Sequence, residues 1–219
     1  NYYYYYCCYR IGYSCSYSNS CNSKRKFYYK NYTRTGKQKI LCRNISFLSA
    51  NELSCRQITV SNMEYKDLIA ARHSVRKFKD QAVDRSLLDE MIDDALLAPS
   101  SRNSKSSGFM IIEDPSTLEE ISRMRDHGSK FIAGAAAAIV VLGNTTKTDL
   151  WVDNAAISTT YLLLSAVEKG LGACWVHVNG RLRVKDDPSQ GTAESFLREL
   201  LGIKDEMRPY AVVAVGYPE

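Results

Sequence analysis

No run of about 18 apolar residues occurs in this 219-residue chain, so no segment reads as a membrane-spanning helix. The start, Asn1-Tyr2-Tyr3-Tyr4-Tyr5-Tyr6-Cys7-Cys8, lacks the aliphatic centre and small-residue cleavage site of a signal peptide. Histidine is scarce: only His73, His127 and His177 are present. Asp126 beside His127 is too little for a metal site. Acid is nearly missing from residues 1–62, which carry ten Lys/Arg against Glu52 alone, a net of +9. Residues 63–219 carry nineteen Lys/Arg against twenty-three Asp/Glu, a net of −4. The basic pI of about 8.7 therefore describes the first part only, and the second gives no electrostatic reason to bind nucleic acid. Cysteine is almost confined to the first part as well. Six of seven cysteines precede residue 63, as do eleven of fifteen tyrosines, leaving Cys174 alone in the body. One cysteine excludes a disulfide scaffold and fits a reducing, cytoplasmic compartment. No internal repeat is visible.

What is present divides at Met63. Residues 1–62 show no apolar period of 2 or 3.6 and too little aliphatic surface to offset the entropy of ordering. They are expected to be a disordered extension or sequence outside the native protein, with Met63-Glu64-Tyr65 as an ordinary start. The other reading is an interaction arm or targeting peptide.

From Met63 the pattern is regular. Tyr65, Leu68, Ile69 and Arg72 have helical spacing, with Ser61 or Asn62 as N-cap. Asp84 caps a second helix, whose stripe is Leu87, Leu88, Met91, Ile92, Ala95 and Leu96 and whose stop is Pro99. A loop rich in hydroxyls and amides, Pro99 to Gly108, leads into a strand at Phe109–Ile112. Asp114-Pro115 opens a helix through Met124. A short helix is expected over Phe131–Ala138, then a strand at Ile139–Gly143. Asp149–Lys169 is the longest helix candidate, closed by Gly170. Strands are expected at Ala173–Val178 and Tyr210–Gly216. Asn179–Gly191 is polar and irregular, and Thr192 caps a helix ending at Gly202. Strands and helices without strict alternation argue for an α+β fold.

The stretch Arg72-His73-Ser74-Val75-Arg76-Lys77-Phe78 draws notice. If it is extended, Arg72, Ser74 and Arg76 share one face. Two guanidiniums and a hydroxyl there suit a phosphate or another planar anion. The plain alternative is an exposed basic turn that binds nothing.

Five stretches in order resolve that choice: Arg72-His73-Ser74-Val75-Arg76; Ala98-Pro99-Ser100-Ser101-Arg102-Asn103; the long helix running into Gly170-Leu171-Gly172-Ala173-Cys174-Trp175; Leu200-Leu201-Gly202-Ile203; and Ala214-Val215-Gly216-Tyr217-Pro218. Together they make residues 63–219 resemble the FMN-dependent nitroreductase family. The resemblance implies an α+β domain with a central mixed sheet flanked by helices, built as an intertwined homodimer with two flavins at the subunit interface. It implies that Arg72, His73 and Ser74 hold the FMN phosphate and ribose, and that Arg76 meets the pyrimidine end of the ring. Ser100, Ser101 and Asn103 would reach the flavin from the partner subunit, and Trp175-Val176-His177 would line the ring. A cation at Arg76 would stabilise the negative charge of a reduced flavin.

The implied activity is an NAD(P)H oxidoreductase passing two electrons to nitroaromatic or quinone acceptors by ping-pong kinetics, without a catalytic side chain of its own. The alternative is a flavin storage or sensing protein of the same fold. Two departures stand out. Many members follow the Asn with Gln-Pro-Trp, where this chain has Ser104-Lys105-Ser106-Ser107-Gly108. Relatives continue past the Gly-Tyr-Pro to a basic residue at the phosphate, where this chain stops at Glu219. A truncated C-terminus would remove a charged contact worth roughly 1.5–3 kcal/mol.

Overall fold

The strands that build the core can be read as continuous apolar runs because helices cover both of their faces. The computed structural model describes residues 28–33, 36–41 and 63–219. The chain separates into two units, Asn1–Thr59 and Val60–Glu219. In the first, β1 (Tyr28–Thr33) pairs antiparallel with β2 (Gly36–Leu41), Thr33 opposite Gly36. The sequence carries no apolar alternation there, so periodicity gave no sign of this hairpin.

The second unit is built on a four-stranded sheet in the order β3-β4-β8-β5. Its strands are β3 (Ser107–Ile112), β4 (Ala137–Asn144), β5 (Gly172–His177) and β8 (Met207–Gly216), paired antiparallel throughout. The parallel component is a bridge from Ser74 to Ala173 at the outer edge of β5. Alternate residues part to opposite faces. Ala137, Ile139, Val141, Ala211, Val213 and Val215 pack under α2 (Arg85–Leu96) and α4 (Trp151–Glu168). Ala138, Val140, Leu142, Val176, Val212 and Ala214 pack under α3 (Pro115–Ser122), the 3-10 turn Lys130–Gly134 and α5 (Ala193–Leu201).

The caps follow the sequence. Asp84 accepts from Ser86 N at 2.9 Å, and Asp114 accepts from Thr117 N at 2.8 Å. Thr192 closes a capping box with Ser195, and Gly202 ends α5 at φ 61° in the left-handed region.

Several boundaries differ from expectation. The first helix, α1 (Tyr65–Ala71), starts from Glu64 without a side-chain cap; Ser61 and Asn62 lie outside the described residues. The stripe on α2 buries Leu88, Met91 and Ala95 but leaves Leu96 exposed. Helix α3 stops at Ser122, because Met124 turns inward beneath the sheet. The helix expected over Phe131–Ala138 is the shorter Lys130–Gly134 turn, after which β4 begins at Ala137. The polar stretch after β5 forms a hairpin, β6 (Leu182–Val184) with β7 (Asp187–Thr192). No helix among the described residues is long and apolar enough to cross a membrane.

Candidate functional site

The strip after α1 is extended, as its chemistry requires. Arg72 leaves the helix at ψ 114°, and Val75 N donates to Ala173 O at 3.1 Å. Phe78 bridges Pro218, and Lys79 N donates to Tyr217 O at 2.9 Å. Two glycines let the strip lie this close. A Cβ on Gly172 would stand 2.8 Å from the Val75 side chain, and one on Gly216 would stand 2.9 Å from the Phe78 ring. Real Cβ contacts are not that short, so both positions exclude a side chain. Phe78 is buried and Val75 partly so, which turns Ser74 and Arg76 outward.

The polar groups of the strip are free to act. Arg72 and Arg76 make no ion pair among the described residues, and the Arg76 guanidinium lies 5.8 Å from the centre of the Phe131 ring. His73 Nδ1 lies 2.9 Å from Ala71 O, a bond in which the ring nitrogen donates. That leaves Nε2 for a ligand, as a donor when the ring is charged. Ser74 stands beside the Cys174 thiol. Burial pushes that thiol up, against the Arg76 charge and the Ser74 hydroxyl, so Cys174 is a buried neutral thiol.

The second strip, Pro99–Gly108, is held differently. Asn154, on α4 and only 2% exposed, accepts from Ser101 N at 2.8 Å. Its amide nitrogen donates to Ser106 Oγ at 2.8 Å and Ser104 Oγ at 3.2 Å. Ser158 Oγ donates to Ser107 Oγ at 2.9 Å, one turn further along α4. Ser100 Oγ accepts from Lys105 N at 3.0 Å, so its hydroxyl hydrogen remains free to donate. Three residues take left-handed backbone: Arg102 (φ 50°), Asn103 (φ 54°) and Lys105 (φ 46°). A non-glycine there costs about 1–3 kcal/mol, and such residues gather where a ligand must be met. Asn103 is exposed at the apex.

Asn154 is thus the clamp of this loop. A signal was present: Asn154, Ser158 and Ser165 are polar residues on the buried face of a helix, where apolar residues are the rule.

The register separates the two strips. Ala173, which carries the first, pairs with Val215 near the end of β8. Ser107, which ends the second, pairs with Gly143, and Gly143 pairs with Arg208 near the start of β8. Those points are seven positions apart along the strand, roughly 23 Å at strand rise. Within one chain, then, Arg72–Arg76 and Ser100–Asn103 stand at opposite ends of the sheet.

Val176 and His177 also part. Val176 is 5% exposed in the α3–α5 core, so only its main chain is available to a ligand. His177 lies on the other face, edge-on to Tyr210 at 5.2 Å and to Trp175 at 5.5 Å. Trp175 in turn stacks on Tyr210 at 6.2 Å. Burial, then the charges of Arg181 and Arg125, push His177 down and favour its neutral ring. Burial and the Asp153 charge push Tyr210 up.

Residues 69–127 and 121–217 match the Nitroreductase family, so the chain belongs to that family. The sheet topology and the two polar strips are the frame on which that match falls. A protein of Methanothermobacter thermautotrophicus named "Putative NADH dehydrogenase/NAD(P)H nitroreductase" is 29% identical over 162 residues, covering 73% of this chain and 80% of the relative. A protein of the same name from Archaeoglobus fulgidus is 31% identical over 157 residues, covering 69% of this chain and 84% of the relative. Among solved structures, an FMN-dependent nitroreductase of Clostridium difficile R20291 superposes with a TM-score of 0.65 at 32% identity, covering 69% of this chain and 86% of that one.

Proposed function

We propose that residues 63–219 form an FMN-dependent NAD(P)H oxidoreductase that passes two electrons to nitroaromatic, quinone or similar acceptors. The observation that carries this reading is the first strip: unpaired Arg72 and Arg76 flank the Ser74 hydroxyl on an extended segment pinned over two glycines. That donor set fits a phosphate joined to a planar ring. Arg72 and Ser74 donate to the phosphate with His73 beside them, and Arg76 sets positive charge at the pyrimidine end of the ring. Ser100 and Asn103 offer hydroxyl and amide groups to the ring edge, and Ser101, with its N–H already given to Asn154, offers its hydroxyl. The Val176 main chain and His177 border the ring. Bound FMN supplies the hydride chemistry, so one open face serving donor and acceptor in turn gives ping-pong kinetics.

The separation of the two strips supports a homodimer, since a second copy can bring its loop to the first copy's strip. Exposed apolar side chains support it too: Ile157 and Tyr161, one turn apart on α4, are each 38% exposed, and Ile69 on α1 is 44% exposed. A chain that is monomeric by light scattering while carrying flavin would refute the shared site. The domain division and the cytoplasmic setting belong to the same reading. Deletion of residues 1–62 is expected to leave activity and stability unchanged.

The decisive experiment is spectroscopic. The purified protein should be yellow, lose its visible absorbance on adding NADPH or NADH, and recover it with menadione or nitrofurazone. Flavin that neither nucleotide bleaches would favour the second reading, a storage or sensing protein, to which the Ser104-Lys105-Ser106 departure lends weight.

A further inference from the structure

The arginines of the described residues divide in two. Arg85, Arg123, Arg198 and Arg208 each bond a carboxylate. Arg72, Arg76, Arg102, Arg125, Arg181 and Arg183 pair with none. The first three of that set lie on the two strips already assigned. The other three gather where the chain leaves β5.

That corner is put together from distant segments. Asp126 N donates to Arg183 O at 2.8 Å, laying the end of the α3 segment along β6. Arg181 sits in the turn after His177, held by Arg181 N to Val178 O at 3.0 Å and by Ala193 N to Arg181 O at 2.9 Å. The Arg183 guanidinium carbon lies 4.3 Å from the centre of the Phe196 ring, a cation–π contact that uses none of its N–H donors. Three shielded side-chain nitrogens of the described residues lack any partner: Arg125 Nε, Arg183 Nε and His177 Nδ1. All three belong to this corner. Nearby carboxylates are already engaged. Asp126 accepts from Lys185 N at 2.9 Å and meets His127, and Glu119 bonds Arg123 at 2.9 Å. Three guanidiniums without an ion pair among the described residues outnumber the nearby carboxylates, which are held by other partners, and that surplus of donors is what an anion-binding corner presents.

We propose that Arg125, Arg181 and Arg183 bind a phosphate group of the nicotinamide donor, with His177 standing between this corner and the ring. The proposal rests on the flavin reading, which sets Trp175–His177 along the ring and so brings the donor to this side. Two phosphate sources share the chemistry: the diphosphate common to NADH and NADPH, and the additional ribose phosphate of NADPH alone.

The test uses the full chain with FMN. Arg181→Ala removes an exposed side chain and keeps both main-chain bonds of its turn; Arg125→Gln keeps most of the side-chain volume. KM is measured for NADH and NADPH, and pyrophosphate binding is measured by calorimetry. A rise of about tenfold in KM for NADPH alone, the size of a lost charge-assisted bond, supports the ribose phosphate. A similar rise for both nucleotides, with weaker pyrophosphate binding, supports the diphosphate. Unchanged KM values and unchanged pyrophosphate binding in both variants overturn the proposal. Pyrophosphate binding that depends on these arginines in protein that takes up no FMN would sink the flavin reading and leave the anion corner standing.

Discussion

Between α1 and α2 the chain from Arg72 to Phe78 is held by its own main chain, through Val75 to Ala173 and Lys79 to Tyr217. Between α2 and β3 the loop from Pro99 to Gly108 is held by side chains, above all by Asn154. The first strip has open glycine floors and no strained residue. The second carries three left-handed non-glycine residues and a buried amide. Main-chain pairing leaves the polar side chains of the first strip available to a ligand, while Val75 and Phe78 pack into the core. The second strip uses part of its polar inventory to hold its own shape, and presents chiefly Ser100 and Asn103. The two sites of anchorage lie seven residues apart along β8, so the comparison is also one between the two halves that a dimer would join.

Mixing subunits breaks or sharpens that contrast most strongly. Arg72→Ala should weaken FMN binding about tenfold to a hundredfold, as expected for a charged contact of about 1.5–3 kcal/mol. Asn103→Ala should weaken it less. Mixed dimers of the two variants should regain roughly a quarter of all sites intact, because one site of each heterodimer then draws both residues from unmutated positions. Flavin fluorescence after mixing checks this. No recovery on mixing would place both strips round the flavin within one chain.

Asn154→Leu should come next. It leaves Ser101 N–H without its acceptor and should cost about 1–3 kcal/mol in urea unfolding, along with FMN affinity. Unchanged affinity would show that the loop keeps its shape without the clamp. Gly172→Ala aims at the other strip. Pushing Val75 aside should cost about 1–3 kcal/mol and loosen Ser74 and Arg76 together. A variant as stable as the parent would mean that the glycine floor is not what sets the strip.

The smallest effect lies away from both strips, at a helix start held by a carboxylate. Bonds from Ser116 and Thr117 hold Asp114 down to about 2. Its contribution to stability is present above the ordinary carboxylate value of 3.8 and is lost as pH falls through about 2. Urea midpoints of the parent and Asp114→Asn should therefore differ at pH 5 and converge as pH approaches 2.

Much of this was legible in the residues. The caps Asp84, Asp114 and Thr192 and the Gly202 stop are local signals, and the structure places each where the pattern put it; the stripe on α2 holds except at Leu96, which is exposed. The boundaries of α3 and the Lys130–Gly134 turn were not legible, because there packing against the sheet decides how far a helix runs. The hairpin β6–β7 was hidden by polar residues on both faces. Of the candidate site, alternation showed only that Arg72, Ser74 and Arg76 could share one face; the choice of a ligand strip over an idle basic turn came from the resemblance. That Val176 faces the core while His177 faces the aromatic group could not be read as a ligand role, since adjacent strand residues always part and only the sheet says which face is open.

The sequence by itself determined most of the elements, the caps Asp84, Asp114 and Thr192, the family resemblance and the residue types that can meet an anion. All but the resemblance, which needs five stretches in order, depend on residues within a few positions of one another. Only the tertiary structure decided that the two strips stand at opposite ends of β8, that Asn154 reaches a loop 53 residues away, and that Asp126 is laid against Arg183 of the β6 strand. Strand register and long-range hydrogen bonds are set by the competition of the whole core for burial, which no local spacing records.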